Sequence, residues 1–427
     1  MAESRTLVVG TTPDYIDWLR EKRPGQLFFL TDRRVRYRAP GKQPGPGEEL
    51  LCNLNDPEES RFALLEYLRT SLLRLNGIAC FDCEALPLAA LVAQSLALSF
   101  PTPEAIRNCR DKHLSKTLWQ RLGVRCPQSY LLQSPKDLAR LSNRADSSWV
   151  LKPASGSGSE LVYLCRNRPE IEKAFQTVYQ ELKKRAHLPL YYNPDGEPAA
   201  IVAEEYISGR EYSVDFFLSE HGLEILRLTA KVRRPGDPFG TIRGYYLIEA
   251  LARNGLDDKL RTLLTEGARA LSLEQTLCMA DFIVANNEPM LLEITPRPGG
   301  DCLPALLRAA GEFDILEFAI DCAHQKSVHP VPTRKFKKLA ALRFHAEKSG
   351  IIRQIEDDKV LADPRTLECR LICKNGDRIC LPPRDYDSWL LGYLIFAPRP
   401  GEDIADQCHD LHQKLTVAIE AIESDEI

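Results

Sequence analysis

Two acids and one arginine occupy positions where their types could do chemistry. In Met290-Leu291-Leu292-Glu293-Ile294-Thr295-Pro296-Arg297 an apolar run carries a carboxylate and then an arginine between prolines, with Gly299-Gly300-Asp301 following. Upstream, Met279-Ala280-Asp281-Phe282-Ile283-Val284 is a second apolar run with one acid. A carboxylate in an apolar strand is costly without a partner. The connection Asn286-Asn287-Glu288-Pro289 favours a tight turn, and a hairpin there would set Asp281 beside Glu293 on one face. Neighbouring carboxylates take a shared proton or a divalent cation, and Arg297 beside them favours a metal-bound polyphosphate.

Other residues offer charge for such a ligand. Lys152 ends the apolar stretch Trp149-Val150-Leu151 and precedes the loop Ala154-Ser155-Gly156-Ser157-Gly158-Ser159. A lysine beside a glycine-rich loop can clamp phosphate while loop N–H groups close over it; the plainer reading is a solvated lysine before a hairpin. Glu204-Glu205-Tyr206-Ile207 ends another apolar run, and Glu211 follows Gly209. Strand-edge groups can hold an adenine ring, and a carboxylate such as Glu211 can accept from ribose hydroxyls, although a charged turn has the same composition.

The elements around these residues read as α/β. Thr6–Gly10, a helix through Trp18 and a strand from Gln26 to Leu30 begin a parallel unit, without the full glycine fingerprint of a dinucleotide site. Arg107–Leu122 reads as one basic amphipathic helix closed by Gly123, and Val232–Tyr246 as a loop. After Pro330 come short β patterns at Leu339–Phe344, Ile351–Ile355, Glu368–Cys373 and Asp377–Leu381, then a final helix over Asp403–Glu423. The divisions expected are residues 1–105, 106–210, 211–330 and 331–427.

In order, Asn108-Cys109-Arg110-Asp111-Lys112, Val150-Leu151-Lys152-Pro153 with its loop, Glu204 to Glu211, Asp281 and Glu293 to Gly300 resemble the ATP-grasp superfamily. Within it the sequence resembles carboxylate–amine ligases of the L-amino-acid ligase type. The resemblance covers roughly residues 77–327. It implies an ATP-grasp fold with an N-terminal Rossmann-like domain, a small lid subdomain and a C-terminal β-rich α+β appendage. It implies ATP and Mg2+ as cofactors: Lys112 and Lys152 on phosphates, Ser155 to Ser159 as the loop over them, Glu204 with the Glu205-Tyr206-Ile207 stretch at adenine, and Glu211 at ribose. Asp281 and Glu293 would hold magnesium, Lys231 would add a phosphate-side cation, and Arg297 would neutralise an acyl-phosphate. Such enzymes usually carry asparagine as a metal ligand where this chain has Thr295, a poorer hard ligand. Glu84, Arg233, Arg234, Arg243, Gly299, Gly300 and Asp301 are the candidates to meet substrate. The implied partners are a small-molecule carboxylic acid and an amine, and a homodimer is compatible with this. Other outcomes on the same scaffold are carboxylation, nucleotide-precursor ligation or ATP-binding regulation; no biotin-type Met-Lys-Met stands in the chain.

Composition narrows the classes. The 427 residues suffice for several cored domains, and a net charge of -4 gives no signal for nucleic acid. The start reads as a strand rather than a signal peptide, and Ala85–Phe100 is too short to span a membrane. Thirteen cysteines without a disulfide-like framework suit a reducing cytoplasm. Cys80-Phe81-Asp82-Cys83 reads as structural thiols, His345-Ala346-Glu347 lacks the companion of a deaminase motif, and His409 with His412 reads as solvated surface.

Overall fold

The computed structural model describes residues 4–38, 44–45, 47–141, 147–156, 158–188, 191, 200–251, 255–311, 313–324 and 336–421. Ser157 and the 330/331 division lie outside them. The strands Ser4–Val9, Leu27–Asp32, Glu49–Cys52 and Arg74–Cys80 form a parallel sheet with Ser4–Val9 and Leu27–Asp32 at its centre. Leu27 to Thr31 are buried throughout, as expected of a parallel strand covered by helices on both faces. The helix Pro103–Arg110 spans the expected 105/106 division.

A single helix over Arg107–Leu122 is not what forms. Asp111 closes Pro103–Arg110 and caps a second helix, Lys112–Arg121, its carboxylate accepting from the N–H groups of His113 and Leu114 at 2.9 Å each. The break puts Lys112 at a helix start, where its N–H donates to the Ala154 carbonyl at 2.8 Å.

Ser129–Leu132, Ile201–Glu205, Trp149–Pro153 and Tyr163–Cys165 make a small antiparallel sheet backed by the helix Arg168–Arg185. This is the lid. Beside it runs an eight-stranded antiparallel sheet ordered Glu288–Thr295, Thr276–Ala285, Arg210–Ser219, Gly222–Val232, Gly244–Leu247, Ala340–His345, Leu390–Phe396, Thr366–Leu371. Its hairpin at Asn286-Asn287 has φ of 52° and 62°, the left-handed pair that a tight two-residue turn needs and asparagine tolerates.

The β-rich C-terminal segment is continuous with the large sheet. Three of its strands extend the eight-stranded sheet, and Gly244–Leu247, inside the expected loop, is the strand that joins them. The expected final helix ends at His412; Thr416–Glu420 is a strand paired with Gly350–Glu356. Cross-strand pairing overrides the helical composition there.

Candidate nucleotide and metal site

The hairpin does the positioning. Asp281 pairs with Glu293 across it and with Ser213 on the other side, and directly opposed residues share a sheet face. Lys231, one strand farther, donates from Nζ to Asp281 Oδ2 at 2.6 Å and lies 3.9 Å from Glu211. Asp281 Oδ1 is buried with no hydrogen-bond partner among the described residues. Glu293 Oε2 lies 3.7 Å from Lys112, and its Oε1 accepts from the Thr295 hydroxyl at 3.3 Å. Burial alone would raise the Glu293 carboxyl, but Lys112, Lys152, Lys116 and Arg297 outweigh it and hold it below the ordinary value.

These groups line one cavity of about 380 Å³ between the lid and the large sheet. Lys112, Lys152, Gly156, Gly158, Ser159, Glu204, Glu205, Ile207, Glu211, Lys231, Arg233, Asp281, Glu293, Arg297, Gly300 and Asp301 all border it. Lys112 Nζ donates to the Gly156 carbonyl at 2.9 Å, tying the glycine loop to the helix start. Opposite that loop stands Gly240, at φ 91°, where a Cβ would come within 3.0 Å of Ser159 Cβ.

An ATP-grasp domain model matches residues 146–305, the stretch running from the lid through the hairpin. The chain carries an ATP-grasp domain. It is 27% identical over 255 residues to carnosine synthase 1 of Homo sapiens, covering 57% of this chain and 30% of that protein. It is 28% identical over 198 residues to a D-alanine–D-alanine ligase of Neisseria meningitidis, covering 44% and 58%. An L-amino acid ligase structure from Bacillus licheniformis superposes with a TM-score of 0.77 over 99% of this chain and 100% of that one, at 17% identity, and so shares the fold.

The residues of this ATP-grasp cleft suit a magnesium-bound phosphate chain. Magnesium takes one or two carboxylates and completes its octahedron with phosphate and water, and the unpartnered Asp281 Oδ1 beside Glu293 offers that donor set. Thr295 does not join it: the residue is buried, lies off the cavity wall and donates its hydroxyl to Glu293.

Several other expectations change in place. Glu204 is ion-paired: Lys152 donates to Oε2 at 2.7 Å and Lys116 lies 3.3 Å from Oε1, which is buried with no hydrogen bond among the described residues. Burial would raise its carboxyl, yet Lys116 and Lys152 hold it lowered. Glu211 is clamped by Arg233 Nη2, 2.7 Å from each oxygen. Ser155 and Tyr206 stand off the cavity, and Tyr206 N–H is already taken by the Ser148 carbonyl. Gly299 packs against the buried Asp215–Arg227 pair, where a Cβ would lie 2.9 Å from Arg227 Nη2 and 3.2 Å from Asp215 Oδ1; no side chain fits. Arg234 and Arg243 border a different cavity.

Sequence reasoning missed three groups. Lys116 is fully buried, donates to the Leu292 carbonyl and braces Glu204, within a stretch that reads only as a basic amphipathic helix. Cys83 is no inert core thiol: Arg297 Nε and Nη2 approach its Sγ at 3.1 and 2.9 Å. Beside it, Asp82 and Glu84 border a further cavity of about 280 Å³ with Asp14, Tyr15 and Tyr393, which meets the first cavity at Cys83, Arg297, Gly300 and Asp301. Burial and then Glu84 push the Asp82 carboxyl up to about 7, against the pull of Arg297. An aspartate followed by Cys-Glu after an apolar strand was the available signal.

Proposed function

We propose that the chain is an ATP-dependent ligase that joins a carboxylic acid, such as an amino acid, to an amine, with release of ADP and phosphate. One observation carries the reading. Lys112, Lys152, Lys231, Arg297, Asp281 and Glu293, from well-separated segments, border one cavity that opens at Arg297 onto an acid-lined second one.

A buried triphosphate needs its charge met, since an isolated buried ion costs on the order of tens of kcal/mol by a Born estimate. Lys112, Lys152 and Lys231 meet it along the cleft, and Glu211 would turn from Arg233 to the ribose hydroxyls. Asp281 and Glu293 would hold magnesium, which when bound neutralises the phosphates and orients the terminal one. A substrate carboxylate beside Arg297 attacks the γ-phosphorus, the bond to ADP breaks, and an acyl-phosphate results. Arg297 stabilises the charge in that step and again when the amine adds to the acyl carbon and phosphate leaves. Asp82, held near neutrality in its pKa, stands where it can take the proton the attacking ammonium must lose. Glu84 and Asp14 would hold the ammonium group of a substrate in the same cavity.

Phosphate release measured across pools of amino acids with MgATP tests the reading. Turnover that depends on both acid and amine and yields an amide supports it, whereas ATP binding without acceptor-dependent turnover contradicts it. The similarity to a protein named as a D-alanine–D-alanine ligase, and to one named as a carnosine synthase, agrees with this class.

A further inference from the structure

Arginines that the sequence offers as substrate forks gather around a separate cavity of about 280 Å³, between the strand end at Val232 and the helix Ile404–His412. Among the described residues, Arg233 alone borders both this space and the nucleotide cleft. Its cationic wall is Arg233, Arg234 and Arg243, with the His412 ring beside them, and its apolar wall Val232, Leu342 and Cys408.

The hydrogen bonding of that wall is incomplete. Arg243 is 8% exposed and spends Nε and Nη2 on Asp237 at 2.7 and 2.6 Å, which leaves Nη1 buried with no acceptor among the described residues. Arg233 gives Nη2 to Glu211, and its Nε is likewise buried and unpartnered. His412 Nδ1 is a third such atom; its ring stacks on Phe344 at 5.9 Å. Buried polar groups are ordinarily satisfied by the chain, by water or by a ligand. Unmet guanidinium donors on two arginines and a ring nitrogen, all on residues that border one space, call for an acceptor that the described residues do not supply.

We propose that this cavity binds a small organic oxyanion, a carboxylate or phosphate group on a compact apolar body. The head would accept from Arg243 Nη1 and Arg233 Nε, with His412 donating from Nδ1, and the body would lie against Val232, Leu342 and Cys408. Charge-assisted bonds to guanidinium are the strong ones, which suits an anion over a neutral acceptor. Asp406, the carboxylate on this wall, disfavours a ligand with a second negative charge at that end. Burial, then Arg243, brings His412 down to about 4, so an anion seated there must raise it. The proposal does not depend on the ligase reading.

Calorimetric titration of the full chain with benzoate, and separately with inorganic phosphate, tests it. One saturable site is expected, weakened roughly tenfold or more in Arg243→Gln by loss of the charged donor, blocked in Ala405→Phe, whose ring fills the cavity from the helix's first turn, and unchanged in Lys152→Met. The His412 pKa, followed by imidazole NMR, should rise with the bound probe. Binding of one probe alone identifies the head group preferred. Absence of saturable binding with both probes overturns the site. So does binding lost in Lys152→Met and retained in the other two variants. Melting curves confirm that each variant folds, and Ala405→Phe carries the test where Arg243→Gln does not.

Discussion

Two cation–carboxylate pairs on the large sheet have the same length and opposite character. Arg227 meets Asp215 at 2.6 Å, and four residues along the same strand Lys231 meets Asp281 at 2.6 Å. The first pair is completely buried and closed. Arg227 also donates to the Ser213 carbonyl, Ser213 Oγ and Thr229 Oγ1, and Asp215 Oδ1 accepts from Gly299 N–H. In the second, Asp281 keeps an oxygen with no partner among the described residues and borders a cavity beside Glu293. A closed pair fixes the sheet; an open one is set for a ligand. Distance alone does not separate them, whereas the leftover hydrogen-bonding capacity does.

The sharpest way to test that contrast is at the mouth of the open site. Arg297→Ala should lower turnover roughly a thousandfold, as loss of a charge-stabilising arginine does in phosphoryl transfer, with the melting temperature little changed. A stable variant that retains most of its rate would detach Arg297 from the chemistry. Arg227→Ala should do the reverse: leaving Asp215 charged and alone in the sheet costs about 3–5 kcal/mol of stability, read by denaturant unfolding, while turnover per folded molecule holds. Equal stability in the variant would mean that the closed pair is dispensable.

The smallest effect concerns pH. Asp82 rises from 3.8 to about 7 on folding, so the fold favours its neutral form. Its contribution to stability is fully present below the unfolded value and is lost as pH rises through about 7. Turnover should rise over the same interval as the carboxylate forms, and Asp82→Asn should flatten both profiles. A rate profile that keeps its rise in Asp82→Asn would remove Asp82 as the proton acceptor.

The open site was legible because its residues violate local expectation. Acids in apolar runs, an arginine between prolines and a lysine before a glycine loop each demand a partner, and the asparagine turn announces the hairpin that joins two of them. The closed pair was not, since Asp215 and Arg227 each look like an ordinary polar interruption until the register sets them opposite. Lys116 was hidden for a similar reason. A lysine on a basic helix reads as solvated, and only the packing of that helix against the lid sheet and hairpin buries it between Glu204 and Leu292. In the fold, the parallel N-terminal unit was readable from apolar runs and punctuation, whereas the lid followed from the family resemblance. Leu390–Phe396, the strand that binds the C-terminal segment into the large sheet, was passed over because an apolar run alone does not say which sheet it joins.

Isotope transfer tests the central claim most directly. The acid substrate is labelled with 18O in its carboxylate, and the phosphate released during turnover with MgATP and an amine is analysed by mass spectrometry. Activation as an acyl-phosphate predicts one label carried from the carboxylate into each phosphate. Unlabelled phosphate, or label found in AMP, would contradict it.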